Sequence, residues 1–188
     1  MRKLAYVLAF IGVLFTVRLI AAPSSRPVIA IMQFHPANDD HWTDEPENTL
    51  PDVDHDHLVF NDDKTIDINL FRDDSDLAVE LNSKGKDELV AQIMRGENAM
   101  NTLFGVGETK VLDTRLEPSA DVSILSVHSK QELPDGTYER LEKYFIGSGQ
   151  TLHAEIRWKV DADKASIKKA RADFEMGRFG LAGREASR

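Results

Sequence analysis

The sequence contains no cysteine. Disulfide staples, thiol nucleophiles and cysteine-ligated metal clusters are excluded, and any folded part must stand on its apolar core. Positive charge is also scarce: 23 Lys and Arg face 32 Asp and Glu, for a formal net charge of −9. Three of the basic residues, Arg2, Lys3 and Arg18, and none of the acidic ones fall in residues 1–22, so the rest of the chain is more acidic than the whole. A surface of that sign repels phosphate backbones and anionic lipid heads, which argues against nucleic-acid binding and peripheral membrane adhesion. Recognisable catalytic signatures are missing too. There is no HExxH pair, and Ser148, between Gly147 and Gly149, has strand patterns on both sides instead of the strand and helix of a nucleophile elbow. Gly105, Val106, Gly107 and Lys110 follow a helical pattern instead of opening one, so they read as a helix stop and not as a phosphate cradle. Asp52, Asp54 and Asp56 begin like a calcium loop, but His57 stands where glycine is needed and Asp63 where a bidentate glutamate belongs.

What is present begins at the N-terminus. Arg2 and Lys3 precede a run without charge from Leu4 to Val17, the n-region and apolar stretch of a signal peptide. A spanning helix needs about 20 apolar residues, which Leu4 to Ala22 approaches if Arg18 snorkels to the interface. Two readings follow: a peptide cut near Ala22 and Ser24, or a retained anchor. Either places the rest of the chain outside the cytoplasm, on the periplasmic or cell-surface side, because basic residues hold the N-terminus inside.

Residues 23–56 read as an acidic linker rich in His and Asp, with one strand possible over Val28 to Phe34 and a spacer or strap from Pro36 to Asp56. Strand patterns start at His57. Leu58, Val59 and Phe60 run into the polar cluster Asn61 to Lys64, after which Ile66, Ile68 and Leu70 alternate with Asp67 and Asn69. Leu77, Val79 and Leu81 repeat that alternation and predict a third strand. The period then changes: Leu89, Ile93, Met100, Leu103 and Phe104 make one helical stripe over Asp87 to Phe104, stopped by Gly105. Gly96 costs this helix about 1 kcal/mol relative to alanine and is expected to mark close packing on the sheet. Strands follow over Val111 to Leu116, Val122 to Gln131 and Tyr138 to Ile146, with Pro134, Asp135 and Gly136 as a turn. Next comes the clearest strand, where Leu152, Ala154, Ile156, Trp158 and Val160 alternate with His153, Glu155, Arg157 and Lys159. Asp163 caps a last helix carrying Ile167, Ala170 and Phe174, and a polar tail is expected to fray.

The expected fold is a single α+β domain over residues 57–188, a mainly antiparallel sheet of about five to six strands with two packed helices, behind an N-terminal apolar helix in residues 1–22. The order of strands, helix, strands and helix resembles the α/β sandwiches of the PsbP and Mog1 type. That resemblance implies a group rich in exported and lipid-anchored accessory proteins; the cysteine of a lipoprotein anchor is missing here.

Candidate sites are few. His35, His41, His55 and His57 fall in the acidic stretch, and imidazole beside carboxylate suits a divalent metal, the one cofactor implied; a solvated linker is the competing reading. His128 and His153, near Asp121 and Glu155, are a conceivable acid and base pair. Tyr138 to Ile146 carries apolar residues on both faces, so either helices cover both sides of the sheet or Tyr138 and Tyr144 dock a partner. The function that follows is a non-catalytic exported or membrane-anchored envelope protein, an accessory subunit bound to protein partners. The alternatives are a periplasmic metal-binding protein using the histidine-rich segment and a small hydrolase with a dispersed site.

Overall fold

The computed structural model describes residues 32–45, 55–73, 77–118, 122–147 and 150–181. The apolar segment 4–22 lies outside them; among the described residues no helix is long and apolar enough to cross a membrane. The strands are β1 (Met32–His35), β2 (Trp42–Asp44), β3 (His55–Phe60), β4 (Ile66–Asp73), β5 (Lys110–Glu117), β6 (Val122–Leu133), β7 (Gly136–Gly147), β8 (Gln150–Lys159) and β9 (Arg178–Leu181). The helices are α1 (Leu77–Lys84), α2 (Lys86–Phe104) and α3 (Lys164–Glu175), with a 3-10 turn at Asp39–His41. Seven strands pair in the order β2-β3-β4-β8-β7-β6-β5, every neighbour antiparallel, and β1 and β9 form a separate antiparallel pair.

Alternation on β8 decides which side of the sheet each residue meets. Leu152, Ala154, Ile156 and Trp158 are buried with Ile66, Ile68 and Leu70 of β4 and Phe145 of β7, beneath Ala170 and Phe174 of α3. Phe34 of β1 closes this layer, its ring 5.2 Å from that of Phe174. On the opposite face Leu125, Val127, Tyr144 and Ile146 pack against Leu89, Val90 and Met94 of α2. Both sides of β7 are therefore covered, which is why that strand is apolar on both. Full burial of each large side chain contributes roughly 1.5–3 kcal/mol. Caps hold the helices at their ends: Asp163 Oδ2 accepts the Ser166 N–H at 2.8 Å, and Gly105 takes the left-handed conformation, φ 69°, after α2.

The structure departs from the sequence reading in five places. The sheet has seven strands, because Trp42–Asp44, inside the stretch read as linker, pairs with β3. Burial of Trp42 against Phe60, ring centroids 5.1 Å apart, secures that short strand. Leu77–Lys84 is a helix and not a strand: Leu77, Ala78 and Leu81 pack on the α2 side while Val79 is exposed. An apolar window this short satisfies both periods, and Ala78 supplies the face that the alternate reading ignored. The stripe on α2 is buried only in its first half, because Met100, Leu103 and Phe104 are exposed. Gly96 faces open space, so close packing does not explain it. Finally, the tail does not fray at once after α3; residues 178–181 pair with β1, and Gly177 fits beneath the Phe34 ring where a Cβ would overlap it.

Candidate functional site, a buried cluster around Arg140

On the α2 side, β7 presents Arg140, Glu142 and Tyr144 in alternate positions, and β8 sets Arg157, Glu155 and His153 directly opposite them. Glu142 thus faces Glu155, a like-charged pair that costs stability unless a cation offsets it. Arg140 is that cation. Its Nη1 donates to Glu155 Oε2 at 3.3 Å, its Nη2 lies 3.5 Å from Glu142 Oε1, and Nη2 also donates to Glu97 of α2. Glu97 is held in turn by the Thr109 hydroxyl at 2.6 Å, and Asn98 accepts the Thr109 N–H at 2.8 Å, so the guanidinium ties α2 to the sheet. Glu142 accepts from the Tyr144 hydroxyl at 2.7 Å and from Ser129 Oγ at 3.3 Å.

The His153 ring is stacked between two aromatics, 4.3 Å and 2° from Tyr144 and 5.4 Å and 25° from Phe71. Its Nε2 sits 3.2 Å from Glu142 Oε2, in ion-pair range, and among the described residues this buried nitrogen has no hydrogen-bond partner. Glu142, His153 and Glu155 each bring a metal-ligating atom within 4.8 Å of the others. Beside them lies a second polar group, in which Asp67 accepts from Arg157 at 2.7 Å and stands 3.6 Å from His57 Nε2.

Electrostatics follow from this packing. Burial alone would raise the Glu142 pKa, but His153, Arg140 and Tyr144 outweigh it and hold the carboxyl down at about 2. Glu155 goes the other way: burial pushes it up, Arg140 opposes that, and the neighbouring Glu142 carboxylate adds to the rise. Burial also pushes the Tyr144 phenol well up, with Glu142 reinforcing it, so this tyrosine is a donor at all ordinary pH. Burial works against the Arg140 charge, yet Glu155, Glu142 and Glu97 together keep the guanidinium more firmly protonated than in water.

The histidines of the acidic stretch lie on three elements, His35 on β1, His41 on the 3-10 turn, and His55 and His57 on β3. His35 is exposed on β1 opposite Arg178; His41 Nδ1 pairs with Asp173 of α3 at 2.6 Å; and His57 stands beside Asp67 on the other side of the sheet. The backbone of His55 lies opposite Phe71. Of the two tyrosines, Tyr144 is buried in the cluster, while Tyr138 remains at the sheet end under Arg157 and Lys159, its hydroxyl 2.7 Å from Asp135. His153 does meet Glu155, as its place on the same strand face requires, but the residue nearest it is Glu142. His128 is 3.3 Å from Glu139, and Asp121 lies outside the described residues. His128 lines a groove of about 420 Å³ on the α3 side, together with Asp113, Arg115, Ser126, Lys143 and Glu175.

Sequence reasoning passed over Arg140, Glu142 and Glu97. A signal for the first two existed: stepping back evenly from the Gly147 and Gln150 end of the hairpin brings Tyr144 opposite His153 and Glu142 opposite Glu155. Glu97 has no such signal, since only packing of α2 on the sheet brings it to Arg140.

No family model matches the chain, and no curated protein does. Solved structures do. The chain is similar to LpqN of Mycobacterium tuberculosis, described as involved in cell envelope biogenesis, at 12% identity and a TM-score of 0.47 over 82% of this chain and 86% of that one. It is also similar to the cyanobacterial PsbP, CyanoP, of Synechocystis sp. PCC 6803, at 10% identity and a TM-score of 0.57 over 86% of this chain and 98% of that one. At such identity the second likeness is one of fold: a single α+β domain built on a mainly antiparallel sheet, as in the PsbP protein.

Proposed function

We propose that this chain is an exported accessory subunit of an envelope assembly, without catalytic activity of its own, which docks a protein partner at the β5 edge of its sheet. The observation that carries the proposal is the apolar surface left bare there. Leu103 and Phe104, 69% and 56% exposed, end α2; Val111 and Leu112 begin β5 after the intervening turn, with Leu112 52% exposed. Among the described residues β5 is an edge strand of the sheet, and the exposed Leu103 and Phe104 end the helix that precedes it, so the chain offers both parts of a strand-addition interface. The charge of Arg2 and Lys3 ahead of the apolar run, and the PsbP-like architecture, support an envelope setting. The occupant we infer is an extended apolar segment of a membrane-associated protein.

Crosslinking from membranes with the full chain tests this. Leu103→Asp with Phe104→Asp should abolish a discrete crosslinked partner and leave the melting temperature unchanged, because both side chains are exposed. Equal crosslinking by the variant, or crosslinks confined to the opposite edge at β2, would refute the docking surface.

A further inference from the structure

The cluster on β7 and β8 carries a second reading that does not rest on the docking proposal. We propose that Glu142, His153 and Glu155 form a binding site for one divalent transition-metal ion of the zinc class. The donors are of the right kind: one imidazole and two carboxylates, with an open position left for water. Their spacing is right as well. Two donors about 2.0–2.1 Å from a tetrahedral ion stand roughly 3.3 Å apart, and His153 Nε2 and Glu142 Oε2 are 3.2 Å apart. All three donor atoms fall within 4.8 Å, so a small closure of Glu155 completes the set.

What distinguishes this cluster from an ordinary buried ion pair is the state of the imidazole. Nε2 is buried and lies 3.2 Å from Glu142 Oε2, and among the described residues it has no hydrogen-bond partner. The ring is not free to improve that geometry, because Tyr144 and Phe71 clamp it on both faces. The clamped ring holds Nε2 beside the Glu142 carboxylate, and Glu155 brings a second carboxylate into the same group of donors. An outer layer is also in place: Tyr144 and Ser129 donate to Glu142, and Arg140 donates to Glu155, the kind of support that orients metal-bound carboxylates. The charge count agrees. Glu97, Glu142 and Glu155 bring three carboxylates to the single guanidinium of Arg140, and a divalent ion would neutralise the remainder. His41 and His57 have carboxylate partners of their own, Asp173 and Asp67, and neither belongs to this group of three donors.

The test is zinc binding by the purified full chain after chelator treatment, measured by calorimetry against a competing chelator. One zinc per chain at micromolar affinity or tighter is expected. His153→Phe keeps the aromatic stack, removes the ligand and should weaken binding by roughly 100-fold or more. A variant with His35, His41, His55 and His57 all changed to Gln should bind as the parent does. Absence of binding, equal binding by the His153→Phe chain, or loss only in the four-histidine variant would each overturn the site. Should His153→Phe fail to fold by circular dichroism, X-ray absorption of the zinc-loaded parent decides: one imidazole with oxygen donors supports the assignment, and two or more imidazoles refute it.

Discussion

Arg140 holds the cluster together by position as much as by charge. It stands on the central hairpin where Glu142 and Glu155 would otherwise face each other unshielded, and it reaches across to Glu97 of α2. Arg140→Ala leaves buried carboxylates without their counterion, and urea unfolding should show a loss of about 3–5 kcal/mol. A loss below about 1 kcal/mol would mean that Arg140 is not the group that offsets these carboxylates. Trp158 tests the other face. It is 3% exposed, pairs across the sheet with Ile66 and stacks under Arg171 of α3. Trp158→Ala should cost about 3–5 kcal/mol, and a small loss in the same assay would contradict its place in the core.

Among the elements, α2 separates helix propensity from packing. Its first half is secured by Leu89, Val90 and Met94, and its last turn overhangs the core, so intrinsic propensity counts most in the middle and end. Gly96 sits there with nothing near its missing Cβ. Gly96→Ala should therefore raise stability by about 1 kcal/mol, seen as a higher urea midpoint with an unchanged slope; destabilisation would show that Gly96 does serve a packing role. Gly177 is the contrasting case. A Cβ there meets the ring of Phe34 and the carbonyl of His35, so Gly177→Ala should loosen the β1 and β9 pair and lower the melting temperature. Unchanged stability would show that this pair contributes little.

For the whole molecule, residues 1–22 decide physical tethering. If the Leu4 to Ala22 segment is retained, the domain works at a membrane; if it is cut, the domain diffuses. We expect retention, since Pro23 directly after Ala22 disfavours cleavage at that bond. Mass spectrometry of the mature N-terminus checks it: an intact segment in the membrane fraction is the expected result, and a chain beginning near Ser25 in a soluble envelope fraction contradicts it.

Local chemistry made much of this fold legible from the sequence. Alternation set the core face of β8, the 3.6-residue period and Gly105 placed α2, and Asp163 marked the start of α3, because each of these depends on neighbours within a few residues. The short elements were legible only in part. Leu77–Lys84 fits two periods at once; β1 overlaps the strand expected over Val28 to Phe34, whereas β2 and β9 become strands only because Trp42 and Gly177 find partners elsewhere in the domain. The candidate site divides in the same way. His153 and Glu155 could be named from one strand, whereas β7 had to be laid against β8 before Glu142 met either, and α2 packed on the sheet before Glu97 reached Arg140. In the long strands sequence alone determined which residues share a face. Tertiary structure decided which faces are dry, and with that which carboxylates must share a cation, since a charge costs little in water and much once buried.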